Sequence, residues 1–194
     1  MDLLLLKSRY GIKDKDIEKR ALVDSENGRR TALKEMIGEK YIIRNNVFKD
    51  FVENELHREY NGYKKVTSVK MQRAGVDYIV YAGDEELYVD LKSLVGPSYE
   101  KIPLELTQNN IWTNTTSKMT DYHLYVVHDD YHHTHKWVPY TDIVKECKKH
   151  KPALIYSDDG TSCRFEWGSD VYTSNNGSGR YILWGEIWYV LHYH

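Results

Sequence analysis

Apolar positions along this chain follow two periods, and the change between them falls near residue 60. From Asp14 to Lys40, apolar residues recur at Ile17, Ala21 and Leu22 and again at Ala32, Leu33, Met36 and Ile37. That is helical spacing, and Asn27-Gly28 reads as the turn between two helices. Asn45 or Asn46 is a good N-cap for a third helix running to about Tyr60, with Asn61-Gly62 as its stop. Beyond it, Val66 to Met71 looks extended, Gly75 to Tyr81 is β-rich, and Gly83-Asp84 is a turn signal. Glu86 to Lys92 then alternates, with Leu87, Val89 and Leu91 on one side and Tyr88, Asp90 and Lys92 on the other. Ile102 to Leu106 and Tyr122 to His128 read as further strands, and Thr141 to His150 as a short helix closed before Pro152. The segments Ala153 to Tyr156, Cys163 to Trp167, Arg180 to Trp184 and Ile187 to Leu191 read as short strands or irregular loops. Helices packed on a mixed sheet give an α/β or α+β class.

Composition narrows the function classes. The 194 residues are 41% hydrophobic and 29% charged, as in ordinary globular proteins, which excludes collagenous and disordered readings. The leading apolar run, Leu3 to Leu6, is bounded by Asp2 and Lys7 and is too short for a signal-peptide core or a span. Cys147 and Cys163 form no CxxC pair and read as free thiols of a reducing cytoplasm. Net charge is −2, yet residues 1–70 hold 16 Lys and Arg against 12 Asp and Glu, a balance of +4, and the remainder is acidic. The basic front half could lean on phosphates or be an ordinary solvated helical surface.

The chemistry concentrates in residues 75–92. Asp77 opens one strand, and Asp90 and Lys92 share a face of its hairpin partner, a strand otherwise built from Leu and Val. Burying such groups costs several kcal/mol unless they pair or bind a metal. Two carboxylates beside an ammonium suit metal-assisted phosphodiester hydrolysis, in which hard oxygen ligands hold Mg²⁺ or Mn²⁺ and the Lys orients water or stabilises charge. A surface hairpin with an exposed Asp90–Lys92 pair is the plainer alternative.

The series Asp77…Asp90-Leu91-Lys92 resembles the Asp…(Asp/Glu)-x-Lys signature of the PD-(D/E)XK nuclease superfamily. The preceding helix, the strand-turn-strand, Pro103-Leu104-Glu105-Leu106 and Thr120-Asp121-Tyr122 extend the likeness over roughly residues 45–150, towards small nucleases of phages and mobile elements. The Pro of the motif is absent, since Gly75-Val76 precedes Asp77. The resemblance implies a restriction-endonuclease-like mixed central sheet flanked by helices, with a helical N-terminal extension over 1–44 and a nuclease domain over 45–194. It also implies catalytic Asp77, Asp90 and Lys92, a metal held by Asp77 and Asp90, and a further Glu from the preceding helix. At about 100° per residue, Val47, Phe48, Phe51, Val52 and Leu56 form one face centred near Glu55, with Glu59 second, while Asp50 and Glu53 face away. Glu55 is thus the third expected metal ligand. Glu105 and Gln108 are candidates for contact with metal-bound water or the substrate backbone, as polar residues at this place are in related nucleases. Gln72 and Arg73 could reach a phosphate.

Other features compete less well. His128-Asp129-Asp130-Tyr131-His132-His133-Thr134-His135 is metal-like in composition, but lying between a strand and Trp137-Val138-Pro139 it reads as an exposed polar loop. No GxSxG, GxxxxGK[ST] or GxGxxG motif is present. The rings Trp167, Tyr172, Trp184, Trp188, Tyr189 and Tyr193 read as core and interface residues rather than base-stacking platforms. The expected partner is nucleic acid, DNA before RNA, with the N-terminal helices helping to hold its backbone; cutting both strands of a duplex needs two such sites, which a homodimer formed by residues 1–44 could supply. The alternative is a non-catalytic nuclease-fold protein that grips nucleic acid or a host protein.

Overall fold

The computed structural model describes residues 2–21, 25–96, 101–108, 111–112, 118–129, 133–173 and 179–184. In chain order the elements are α1 (Leu3–Arg9), α2 (Asp14–Arg20), α3 (Glu26–Arg44) and α4 (Val47–Asp50), the last widening into a π turn over Phe51–Glu55. Then follow β1 (Tyr60–Lys65), α5 (Val69–Arg73), β2 (Tyr78–Ala82), β3 (Glu85–Val95), β4 (Ile102–Gln108) and β5 (Ile111–Trp112). The chain continues through β6 (Tyr122–His128), β7 (His133–Pro139), α6 (Tyr140–Lys149), β8 (Ala153–Tyr156), β9 (Cys163–Glu166), β10 (Val171–Thr173) and β11 (Gly179–Trp184). The class is α+β. Among the described residues, no helix is long and apolar enough to cross a membrane.

Two compact units result, one of Met1–Tyr99 with Met119–Val138, the other of Glu100–Lys118 with Pro139–His194. The division does not fall at residue 44. Leu6, Ile17, Leu33 and Ile37 from the first three helices, with Ile12 between the first two, share a buried cluster with Val95 of β3, so these helices are part of the first unit. That unit holds a mixed five-stranded sheet in the order β1-β2-β3-β6-β7. Strands β1, β2 and β3 run antiparallel, and β3 pairs with β6 in parallel, setting Asp90 opposite His123 and Lys92 opposite Tyr125. Val80, Val89, Leu124 and Val126 from the sheet pack with Val47, Phe48, Phe51 and Val52 as the main core. Each such buried side chain contributes roughly 1.5–3 kcal/mol relative to exposure.

Local chemistry explains the elements. Ser25 caps α3 by accepting a hydrogen bond from Gly28 N at 3.0 Å, which puts Asn27-Gly28 inside the first helical turn rather than at a break. The β2–β3 turn places Gly83 at φ +60°, where a residue without Cβ meets no steric cost. Other expectations are corrected. The third helix stops short of Tyr60, and Asn61-Gly62 lies within β1, where the register shifts between Tyr60 and Tyr63. Residues 69–73 are helical, not extended, because α5 closes its own i to i+4 bonds, such as Ala74 N to Lys70 O at 3.1 Å. The His-rich stretch is not an exposed loop: His128 and Asp129 are buried and His133 begins β7, while residues 130–132 lie outside the described residues.

Gly38 marks the close approach of α3 to β3. A Cβ there would stand 2.8 Å from Ser93 Oγ and 2.9 Å from Ser93 Cβ, and that hydroxyl is already committed to Lys34 O at 2.7 Å. Gly38→Ala is expected to destabilise the protein by about 1–3 kcal/mol despite the better helix propensity of Ala. Chemical denaturation checks this, and adding Ser93→Gly should recover most of the loss. An unchanged midpoint in the single variant would mean that the two elements do not meet at Gly38.

The second unit contains an antiparallel sheet in the order β10-β11-β4-β5, helix α6 packed against β4, and the β8–β9 hairpin. Cys147 of α6 is a free thiol, and burial pushes it up to about 12, which makes it a packing residue rather than a nucleophile. The Cys163 side chain lies outside the described residues, as do residues 187–191 and the rings of Trp188, Tyr189 and Tyr193. Tyr172 stacks on Tyr181 and the Arg180 guanidinium lies over Trp167, so these tail groups contact one another.

Candidate active site

The hairpin of β2 and β3 builds the site. Asp77 precedes β2, its N–H donating to Val89 O at 2.8 Å, and its Oδ2 accepts from Leu91 N at 2.9 Å. Val89 and Leu91 face the core side of β3, and the alternation turns Asp90 and Lys92 to the opposite face. Asp90 is only 3% exposed, which removes the reading of a solvated surface pair. Lys92 Nζ lies 2.7 Å from Asp90 Oδ1, its side chain 40% exposed. The Asp77 and Asp90 carboxyl groups lie within hydrogen-bonding reach of each other. Burial first, and the Asp90 charge second, push the Asp77 carboxyl up to about 6, against the partial relief of the Leu91 N–H and Lys92.

Strand β6 supplies what lies beside Asp90. His123, 1% exposed, brings Nε2 to 3.5 Å from Asp90 Oδ2, and its Nδ1 is 3.3 Å from the Tyr125 hydroxyl. The imidazole therefore sits next to the carboxylate with no hydrogen bond between Nε2 and Oδ2, and the Tyr125 contact orients the ring.

On the core side, Asp77 opens onto a cavity of about 330 Å³ shared with Arg20, Glu39, Lys65, Gln72 and Tyr78. Glu39 of α3 receives both Arg20 guanidinium nitrogens, at 2.6 and 2.7 Å, and Lys65 Nζ at 2.5 Å. Burial opposes its ionisation, but the Arg20 and Lys65 hydrogen bonds outweigh that and hold its carboxyl below the usual range. Glu35 and Glu39 of α3 are therefore the helix carboxylates that share a cavity with Asp77, and Glu39 is the one held by both cations.

Glu55 does not line that cavity. It is exposed at the end of the π turn, where Leu56 N bonds to Phe51 O, so rotation per residue departs from the 100° that put Glu55 at the centre of the apolar face. Glu59 is exposed just before β1. Gln72 lines the cavity and donates through Nε2 to Val66 O at 3.1 Å, and Arg73 is exposed at the end of α5. Glu105 belongs to the second unit, where it accepts from the Tyr181 hydroxyl at 3.0 Å. Gln108 pairs through its backbone with Gly179 and Ile111, and its side chain lies outside the described residues. His128 bonds through Nε2 to the Tyr10 hydroxyl at 2.8 Å, and burial pushes its imidazole down to about 4, a neutral structural group at pH 7.

Among the described residues, no group of three or more His, Cys, Asp and Glu is arranged to hold a metal ion. A site of two carboxylates nevertheless fits Mg²⁺ or Mn²⁺, since Mg²⁺ is commonly held by one or two carboxylates, waters and substrate phosphate oxygens. Beside burial, the Asp90 charge helps to raise the Asp77 carboxyl, and a cation held between the two would relieve that part. Comparison with protein-family models, curated proteins and solved structures finds no match to this chain.

The sequence reading missed Glu39, His123 and Tyr125. A signal existed for the first, because a Gly inside a helical pattern marks close packing, and Gly38 points to α3 as the helix against the motif strand. For the other two it did not, because their approach to Asp90 depends on the parallel β3–β6 register.

Proposed function

We propose that this protein is a metal-dependent nuclease of the PD-(D/E)XK type, with a restriction-endonuclease-like sheet, hydrolysing phosphodiester bonds, those of DNA in preference to RNA. The observation that carries the reading is the half-buried Asp77 beside the buried Asp90, with the Lys92 ammonium 2.7 Å from Asp90. The order of helix, motif hairpin and parallel return strand supports it. Asp77 and Asp90 hold the divalent ion, which when bound supplies an acidified water and neutralises phosphate charge. The half-exposed Lys92 orients the attacking water and stabilises negative charge that develops on the phosphate. His123 stands beside the Asp90 carboxylate inside the sheet, and the Leu91 N–H fixes Asp77. Glu39, neutralised by Arg20 and Lys65, shapes the cavity beside Asp77.

The test is cleavage of supercoiled plasmid, single-stranded DNA and RNA with Mg²⁺, with Mn²⁺ and with EDTA. Nicking is expected with either metal and none with EDTA. Absence of metal-dependent cleavage on all three substrates would sink the proposal in favour of a nuclease-fold binding protein, for which changes at Asp90 would leave partner capture intact.

A further inference from the structure

Residues 60–76 contain Lys64, Lys65, Lys70 and Arg73 and no Asp or Glu. The segment forms β1 and α5, and all four of these side chains are exposed. Lys65 is committed to Glu39, while Lys64, Lys70 and Arg73 have no ion-pair partner among the described residues. The segment is tied to the carboxylate pair through its backbone. Val66 N donates to Asp77 O at 2.8 Å, Val76 N to Met71 O at 3.0 Å, and Gln72 lines the cavity onto which Asp77 opens. The N-terminal helices differ. Their cations are interleaved with carboxylates, and several are paired, as in Lys7–Asp14 at 2.5 Å and Arg20–Glu35 at 3.2 Å. Local charge thus favours a polyanion on the β1–α5 face and not on those helices.

We propose that the exposed face of β1 and α5, carrying Lys64, Lys70 and Arg73, is the surface on which a nucleic-acid phosphodiester backbone lies as it enters the Asp77–Asp90 centre. The choice of nucleic acid over another polyanion rests on the reading of that centre as a phosphodiester-cleaving one. Three phosphate contacts of this kind release counterions, so the face imposes a salt dependence of its own on binding.

The test is fluorescence anisotropy of the full chain with labelled duplex and single-stranded oligonucleotides, in EDTA, over a range of salt. The triple variant Lys64→Gln, Lys70→Gln, Arg73→Gln is compared with a control of equal charge change on exposed positions of α2 and its N-cap, Lys13→Gln, Lys15→Gln, Lys19→Gln. The first variant is expected to bind about 10- to 100-fold more weakly at 100 mM salt, with a log–log salt slope shallower by about two to three, while the control stays within about twofold. An equal loss in the control, unchanged binding in the first variant, or no binding by the parent protein would overturn the proposal. So would binding of labelled poly-glutamate that depends on the same three cations. Salt-dependent binding lost in the first variant, together with a parent protein that cleaves nothing with any metal, would uphold this surface while removing the nuclease reading. Metal-dependent cleavage by a protein whose binding ignores the three cations would do the reverse.

Discussion

Asp90→Asn is expected to lower metal-dependent cleavage by at least about 10³-fold, on the order of 4 kcal/mol of transition-state stabilisation. Asn keeps the shape of Asp and leaves β3 in register, but it removes one anionic oxygen donor and the partner that holds Lys92 at 2.7 Å. The loss should appear in kcat, with DNA affinity in EDTA altered by less than about threefold, because Asp90 is 3% exposed and the cations proposed to hold the backbone, Lys64, Lys70 and Arg73, lie on β1 and α5. A folded Asp90→Asn protein that still cleaves within about tenfold of the parent would show that the centre lies elsewhere.

Asp77→Asn should stabilise the metal-free protein at neutral pH. The Asp77 carboxyl stands at about 6 in the folded protein against a usual 3.8. Between those values the native state keeps a proton that the unfolded chain has released, so Asp77 makes stability fall as pH rises from about 4 to about 6. Above that window the penalty is complete, on the order of 3 kcal/mol. Asn carries no charge and can still accept the Leu91 N–H, so the variant should melt roughly 5–10 °C above the parent at pH 7.5 and level with it at pH 4. His128, pushed down to about 4 by burial, acts in the opposite sense, since its stability is lost as pH falls from about 6.5. It is common to both proteins and drops out of the difference. Mn²⁺ at pH 7.5 should raise the melting temperature of the parent and leave the variant nearly unmoved. Melting curves with EDTA and with Mn²⁺ at pH 4 and 7.5 decide the matter. A variant less stable than the parent at pH 7.5 would mean that Asp77 is a satisfied structural carboxylate.

Where sequence and structure part company, the reason lies in the range of the interaction. Glu55 looked central on a wheel that assumed a uniform helix, but the helix ends in a π turn and leaves it exposed. His128 looked like part of a loop, yet a strand on each side of residues 130–132 and a Tyr10 hydroxyl 118 positions earlier in the chain make it a core residue. Residues 1–44 read as an extension because the resemblance begins near residue 45, yet their helices share a buried cluster with Val95 of β3.

By itself the sequence determined the β2–β3 hairpin and the side of β3 taken by Asp90 and Lys92. Period-two alternation and a Gly-Asp turn are local, and they act before any partner strand is chosen. Only the tertiary structure decided which helix carboxylates share a cavity with Asp77 and which imidazole stands beside Asp90. Those choices follow from the packing of α3 on β3 at Gly38 and the parallel register of β3 with β6, contacts between residues tens of positions apart that no local pattern encodes.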